Sequence, residues 1–120
     1  MKKILVIDDT LHLLDEVRDI LEMEGFEVAT APNAIKGLGL IQTYQPDLII
    51  TDLHMPELNG FDLIKKVKSD QNMASLPIVV LSAKADKEAL QKAKGLGAEA
   101  YIKKPCTADE LISSVTQTLA

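Results

Sequence analysis

Asp8 and Asp9 directly follow Ile4-Leu5-Val6-Ile7, Asp52 follows Leu48-Ile49-Ile50-Thr51, and Lys104 follows Ala100-Tyr101-Ile102-Lys103. Apolar runs of this length, rich in β-branched residues, read as strands buried on both faces, and therefore as members of a parallel sheet. In an open α/β sheet the ligand site lies just beyond the carboxyl ends of such strands. With these strands as neighbours, three carboxylates and one ammonium meet at one edge. Carboxylates within ~5 Å of one another repel by roughly 3 kcal/mol per pair at an effective dielectric near 20. The cluster calls for a cation, and a cation site beside a lysine points to phosphate chemistry.

The reaction that uses such a set is phosphoryl transfer to a carboxylate, which yields an aspartyl-phosphate. The transferring group spreads its charge over three oxygens, so catalysis is mostly positioning and neutralisation. A magnesium ion takes oxygen ligands, usually one or two carboxylates with waters and a phosphate oxygen. Asp9 and Asp52 are expected to ligate directly and Asp8 through water. Lys104 offers a compact point charge to a second phosphoryl oxygen. Ser82, which ends Ile78-Val79-Val80-Leu81, offers a hydroxyl to the third, and Ala83 beside it leaves space. Taken singly, each residue has an ordinary explanation. An Asp at a strand end is usually solvated, Asp9 or Thr10 would serve as a helix cap, and a lone lysine usually faces water. Their joint placement at one sheet edge is what favours chemistry.

The elements that must hold these residues can be read from the apolar period. Residues 3–7 read as a strand, followed by a helix near 11–24 capped by Thr10, with Leu13, Leu14, Val17, Ile20 and Leu21 toward the core and Gly25 at its end. Residues 26–30 form a second strand of mixed polarity, as at an edge. A helix near 34–44 carries Ile35, Leu38 and Ile41 inward, with Gly37 and Gly39 weakening it. The third strand is 47–51, and the loop from Asp52 to Gly60 holds Pro56 and an Asn59-Gly60 turn signal. A helix near 61–69 buries Leu63, Ile64 and Val67. The fourth strand is 78–81, Asp86 caps a helix near 87–96, and the fifth strand is 99–103. Thr107-Ala108-Asp109-Glu110 matches a capping box for a helix over 108–119. Five strands alternating with five helices predict one doubly wound parallel α/β domain over residues 1–120.

Bulk properties narrow the function further. With 120 residues and 47% hydrophobic composition, the chain is long enough for a core. Its formal net charge of −5 disfavours a nucleic-acid surface or attraction to anionic membranes. The single Cys106 has no internal disulfide partner, and no run approaches the length of a membrane span. Met1-Lys2-Lys3-Ile4 is not the start of a signal peptide. The expectation is a cytoplasmic domain.

Asp8-Asp9, Asp52 with Met55-Pro56 and Asn59-Gly60, Ser82-Ala83, Tyr101 and Lys104-Pro105 together resemble the receiver domain of two-component response regulators, of the single-domain chemotaxis type. The resemblance spans the whole chain; each motif is weak alone, but their order and spacing are specific. It implies a flavodoxin-like sheet of order 2-1-3-4-5. It implies Asp52 as the phosphoacceptor, served by a sensor histidine kinase or histidine phosphotransfer protein. Asp8, Asp9, Asp52 and the main-chain carbonyl of His54 would hold Mg²⁺. Ser82 would move toward the phosphoryl group and Tyr101 would leave an exposed rotamer to fill the space. The surface of the fourth helix, fifth strand and fifth helix would then act on an effector protein. A cis Lys104-Pro105 peptide is also implied. Such a domain assists its own phosphorylation and dephosphorylation without being a turnover enzyme.

Some positions depart from the commoner pattern. Cys106 stands where an aromatic often follows Lys-Pro, and His54 and Lys84 flank the site where the family tunes phosphoryl lifetime. As a nucleophile Cys106 lacks a nearby base, the His54 ring is a poor ligand for hard Mg²⁺, and His12 reads as a surface residue. Among rivals, a haloacid-dehalogenase-type phosphatase spaces its acids as Asp-x-Asp, whereas these are adjacent. A flavodoxin-like mononucleotide binder would not place two acids where phosphate must sit. A degenerate receiver, serving only for docking, would not keep the full acid, hydroxyl and lysine set. The chain ends with its last predicted helix at Leu119-Ala120. That fits a stand-alone regulator acting on a protein, or a receiver taken from a larger transcriptional or enzymatic regulator.

Overall fold

The computed structural model describes residues 1–83 and 86–120, so Lys84 lies outside the described residues. Among the described residues the order is β1 (Lys3–Ile7), α1 (Leu11–Met23), β2 (Glu27–Ala31), α2 (Ala34–Tyr44), β3 (Leu48–Thr51), α3 (Gly60–Ser69), β4 (Ile78–Ser82), α4 (Lys87–Leu96), β5 (Ala100–Lys103) and α5 (Ala108–Leu119). The strands form one parallel sheet, β2-β1-β3-β4-β5, the doubly wound flavodoxin-like order expected.

Strand alternation divides the core between two faces. Ile4, Val6, Leu48, Ile50, Val79 and Leu81 meet Leu14, Val17 and Leu21 of α1 and Leu111 and Val115 of α5. Leu5, Ile7, Ile49, Ile78 and Val80 meet Ile41 of α2, Leu63, Ile64 and Val67 of α3, and Ala89 and Ala93 of α4. With helices on both faces, β1, β3 and β4 have no solvent side, which is why their sequences are apolar without alternation. β2 lies at the edge, and its first residue, Glu27, is exposed.

Side-chain caps start four of the helices. Asn33, Asn59, Asp86 and Thr107 each accept a hydrogen bond from the main-chain N–H three residues on, and Thr107 with Glu110 completes a capping box. Gly25 and Gly97, at φ 94° and 115°, carry the chain through the left-handed region after α1 and α4.

Local expectations fail at several places. Thr10 occupies the cap position of α1, but its side chain makes no capping bond; its N–H donates instead to Asp8 Oδ1 at 2.9 Å. Asn59-Gly60 is a helix start rather than a turn, because the Asn59 side chain holds the Asp62 N–H. Ile35 is 56% exposed rather than inward. Ala34, Gly37 and Ile41 face the sheet instead, and a Cβ on Gly37 would run into the Ile7 side chain. The glycine lets α2 approach β1 closely, and with Ala34, Gly37 and Ile41 on the sheet side Ile35 lies toward solvent.

Candidate functional site

Main-chain hydrogen bonds carry the sheet one residue past its strands. The Asp8 N–H donates to the Ala31 carbonyl (3.1 Å), Asp52 N–H to Ile7 (3.1 Å) and Lys104 N–H to Ser82 (2.8 Å). Each charged residue is thereby fixed by the last residue of the adjoining strand, at the carboxyl edge. The residues converge as their spacing predicts. Asp8, Asp9 and Asp52 offer carboxylate oxygens that all lie within 4.8 Å of one another. Lys104 Nζ donates to Asp8 Oδ2 at 2.8 Å and to Asp52 Oδ2 at 3.2 Å. Asp8 is 3% exposed and Asp52 9%, whereas Asp9 faces solvent.

The two oxygens of Asp52 have different surroundings. Oδ1 accepts from the Leu53 N–H at 2.7 Å and, at 3.4 Å, from that of His54; Oδ2 is turned to Lys104. One oxygen is therefore tethered to the loop while the other faces the cluster. The Lys104 pKa is raised: burial acts to lower it, but the hydrogen bond to Asp8 and the charges of Asp8 and Asp52 outweigh burial. The ammonium therefore stays charged between the two carboxylates. The Lys104-Pro105 peptide is cis.

Ser82 is fully buried at the end of β4, beside the β5 strand that carries Tyr101. Tyr101 is half-buried against the core on the α2, α3 and α4 side. Burial of its ring area against that core accounts for this placement. Burial raises its pKa; the nearby Ser82 hydroxyl opposes the rise, and the charges of Asp86 and Asp52 add to it.

Other singled-out residues fall into place around this cluster. The His54 and His12 side chains are exposed. Cys106 is half-buried, and burial, then the Glu110 charge, pushes its thiol pKa up, which makes it a poor nucleophile. Two residues to which the sequence assigned no role adjoin Asp52, although Gly60 is one of those that carry the resemblance. Thr51 is fully buried and donates its hydroxyl to the Asp52 main-chain carbonyl at 2.9 Å. Gly60 lies against the same peptide: a Cβ there would meet the Asp52 carbonyl oxygen and come within 2.7 Å of Leu53 Cα. For Thr51 the available signal was a hydroxyl ending an otherwise aliphatic central strand.

A family model described as the response regulator receiver domain matches residues 4–116. The chain belongs to the response regulator receiver family. It is 34% identical over 119 residues to the DNA-binding dual master transcriptional regulator RpaA of Synechocystis sp., covering 99% of this chain and 49% of that protein. Identity to the polar-differentiation response regulator DivK of Brucella anthropi is 29% over 118 residues, covering 98% of this chain and 96% of DivK. The chain thus spans about half the length of RpaA and nearly all of DivK. Among solved structures, the chemotaxis response regulator CheY4 of Vibrio cholerae matches with a TM-score of 0.92 at 30% identity, over 98% of both chains. A response regulator receiver domain protein from Clostridium thermocellum matches with a TM-score of 0.91 at 31% identity, over 99% of this chain and 94% of that one.

Receiver domains are phosphoacceptor signalling switches of two-component systems, and the acidic cluster of Asp8, Asp9 and Asp52 is consistent with that role. The family typically binds Mg²⁺, and an all-oxygen carboxylate set within 4.8 Å suits a hard cation. Among the described residues, no helix is long and apolar enough to cross a membrane.

Proposed function

We propose that Asp52 accepts a phosphoryl group from a phosphohistidine on a sensor kinase or phosphotransfer protein. The observation that carries this reading is the paired environment of its carboxylate, with Oδ1 held by main-chain N–H groups and Oδ2 facing Lys104. In the transfer, an Asp52 oxygen forms a bond to phosphorus as the bond from phosphorus to the donor imidazole nitrogen breaks. The imidazole leaves with the electron pair and takes a proton. Lys104 balances charge on a phosphoryl oxygen, and Ser82 donates its hydroxyl to another. Asp8, Asp9, Asp52 and the His54 carbonyl are the residues that would hold Mg²⁺, which supplies further neutralisation of the charge that gathers there.

The same residues supply a switch. A new dianionic acceptor draws the Ser82 hydroxyl toward it, and Tyr101 repacks into the space left behind. The change passes to the α4, β5 and α5 surface, and so to an effector protein rather than a nucleic acid, in keeping with the net charge of −5. The domain takes one phosphoryl group per cycle in the cytoplasm and is not a turnover enzyme. Acetyl phosphate with Mg²⁺ should add a single phosphoryl group, detected by intact mass, and Asp52→Asn should abolish it. Undiminished labelling of Asp52→Asn would sink the assignment.

A further inference from the structure

Thr51 sits in the sheet between Ile7 of β1 and Val80 of β4, both fully buried and aliphatic. Valine would fill much the same volume there and lose less on desolvation, so packing does not explain a hydroxyl. That hydroxyl donates to the Asp52 main-chain carbonyl at 2.9 Å. The carbonyl belongs to the peptide unit that also contains the Leu53 N–H. A peptide unit is planar and trans, so fixing the direction of its C=O fixes its N–H, which points the opposite way. The Leu53 N–H is the donor that holds Asp52 Oδ1, at 2.7 Å.

We infer that Thr51 is a positioning residue for phosphoryl acceptance: through one rigid peptide plane, its hydroxyl aims the N–H that orients the Asp52 carboxylate. Gly60 closes the other side of that peptide, since any Cβ would press on the same carbonyl oxygen. The Gly60 N–H also bonds the Leu53 carbonyl at 2.9 Å, which fixes the next peptide unit. With Oδ1 tethered, Oδ2 is the oxygen left facing Lys104 and the incoming group. The inference rests on Asp52 being the acceptor.

The test compares Thr51→Val, which keeps the shape without the donor, with Thr51→Ser, which keeps the donor. In acetyl phosphate labelling with Mg²⁺, Thr51→Val should lower the maximal rate about tenfold, the effect of one lost hydrogen bond. The acetyl phosphate concentration for half-maximal rate should hold. Thr51→Ser should restore the rate to within about twofold. Exchange of the Leu53 amide hydrogen should quicken in Thr51→Val alone. If Thr51→Val does not fold, Thr51→Ala against Thr51→Ser puts the same question to the hydroxyl. Parent rates and parent Leu53 exchange in the folded variant lacking the hydroxyl would overturn the inference. So would an equal loss in Thr51→Ser, which would trace the effect to packing. Asp52→Asn run alongside separates the two levels. Labelling there defeats the acceptor reading itself, while no labelling there with a normal Thr51→Val defeats only the positioning role.

Discussion

Replacing Lys104 by methionine should make stability depend on Mg²⁺. Its ammonium is 2.8 Å from Asp8 and 3.2 Å from Asp52, and only 18% of the side chain is exposed. At such distances and an effective dielectric near 20, each attraction is about 5–6 kcal/mol before desolvation is set against it. Breaking a buried charge pair by removing one partner costs about 3–5 kcal/mol. The lower end applies here because solvent reaches one edge of the cluster. An unfolding entropy of about 2.1 cal/mol/K per residue over 120 residues turns 3 kcal/mol into a fall in melting midpoint of about 12 °C. Saturating Mg²⁺ should restore most of that fall, because a dication neutralises the carboxylates that the ammonium no longer reaches. By linkage it should also bind Lys104→Met more tightly than the parent. Thermal melts in chelator and in Mg²⁺, with calorimetric Mg²⁺ titration, read both effects. A pH arm isolates the charge. A lysine pKa raised by folding contributes stability that is complete below its unfolded value, about 10.4, and lost as pH climbs through the folded value. The gap between parent and Lys104→Met in chelator should therefore close only above that range. Melting of Lys104→Met within about 3 °C of the parent in chelator, with equal Mg²⁺ increments in both, would refute the reasoning.

Two further substitutions test the frame around the site. Gly60→Ala forces a Cβ onto the Asp52 carbonyl and Leu53 Cα; it should cost about 2 kcal/mol in denaturant unfolding and slow acetyl phosphate labelling. Thr107→Ala removes the capping box of α5; it should cost about 1 kcal/mol while leaving the labelling rate unchanged, and a slowed rate would tie α5 to the chemistry.

The residues of the site were legible because they are exceptions to a simple pattern. β1, β3 and β4 are buried on both faces, so their sequences are unbroken apolar runs, and a charge at the end of such a run marks the carboxyl edge. Sheet order brings those edges together, which is why Asp8, Asp9, Asp52 and Lys104 could be placed as one cluster before any coordinates. Asp86 and Thr107 could be read as helix caps because cap chemistry is local, whereas Asn59 read as a turn and Thr10 makes no capping bond.

The features that escaped the sequence depend on distances between elements. Ile35 has the hydrophobicity of a core residue, but the roll of α2 is set by how closely Gly37 lets it approach Ile7. Propensity counts that glycine as a weakness; packing makes it the contact point. Lys68 donates to Glu99, 31 residues away, while Glu99 also accepts from the main-chain N–H of Ile78. This link ties the end of α3 to the sheet and leaves no periodic trace. Asp52 shows the same division. That Asp52 lies at a strand end is readable from its run, but what aims its carboxylate is the direction of one peptide, set by Thr51 from within the strand and by Gly60 from the next helix. A single residue type at a single position names the chemistry. Its orientation is a property of the packed loop, which is why the contacts of Thr51 and Gly60 with the Asp52 peptide show only in the three-dimensional arrangement.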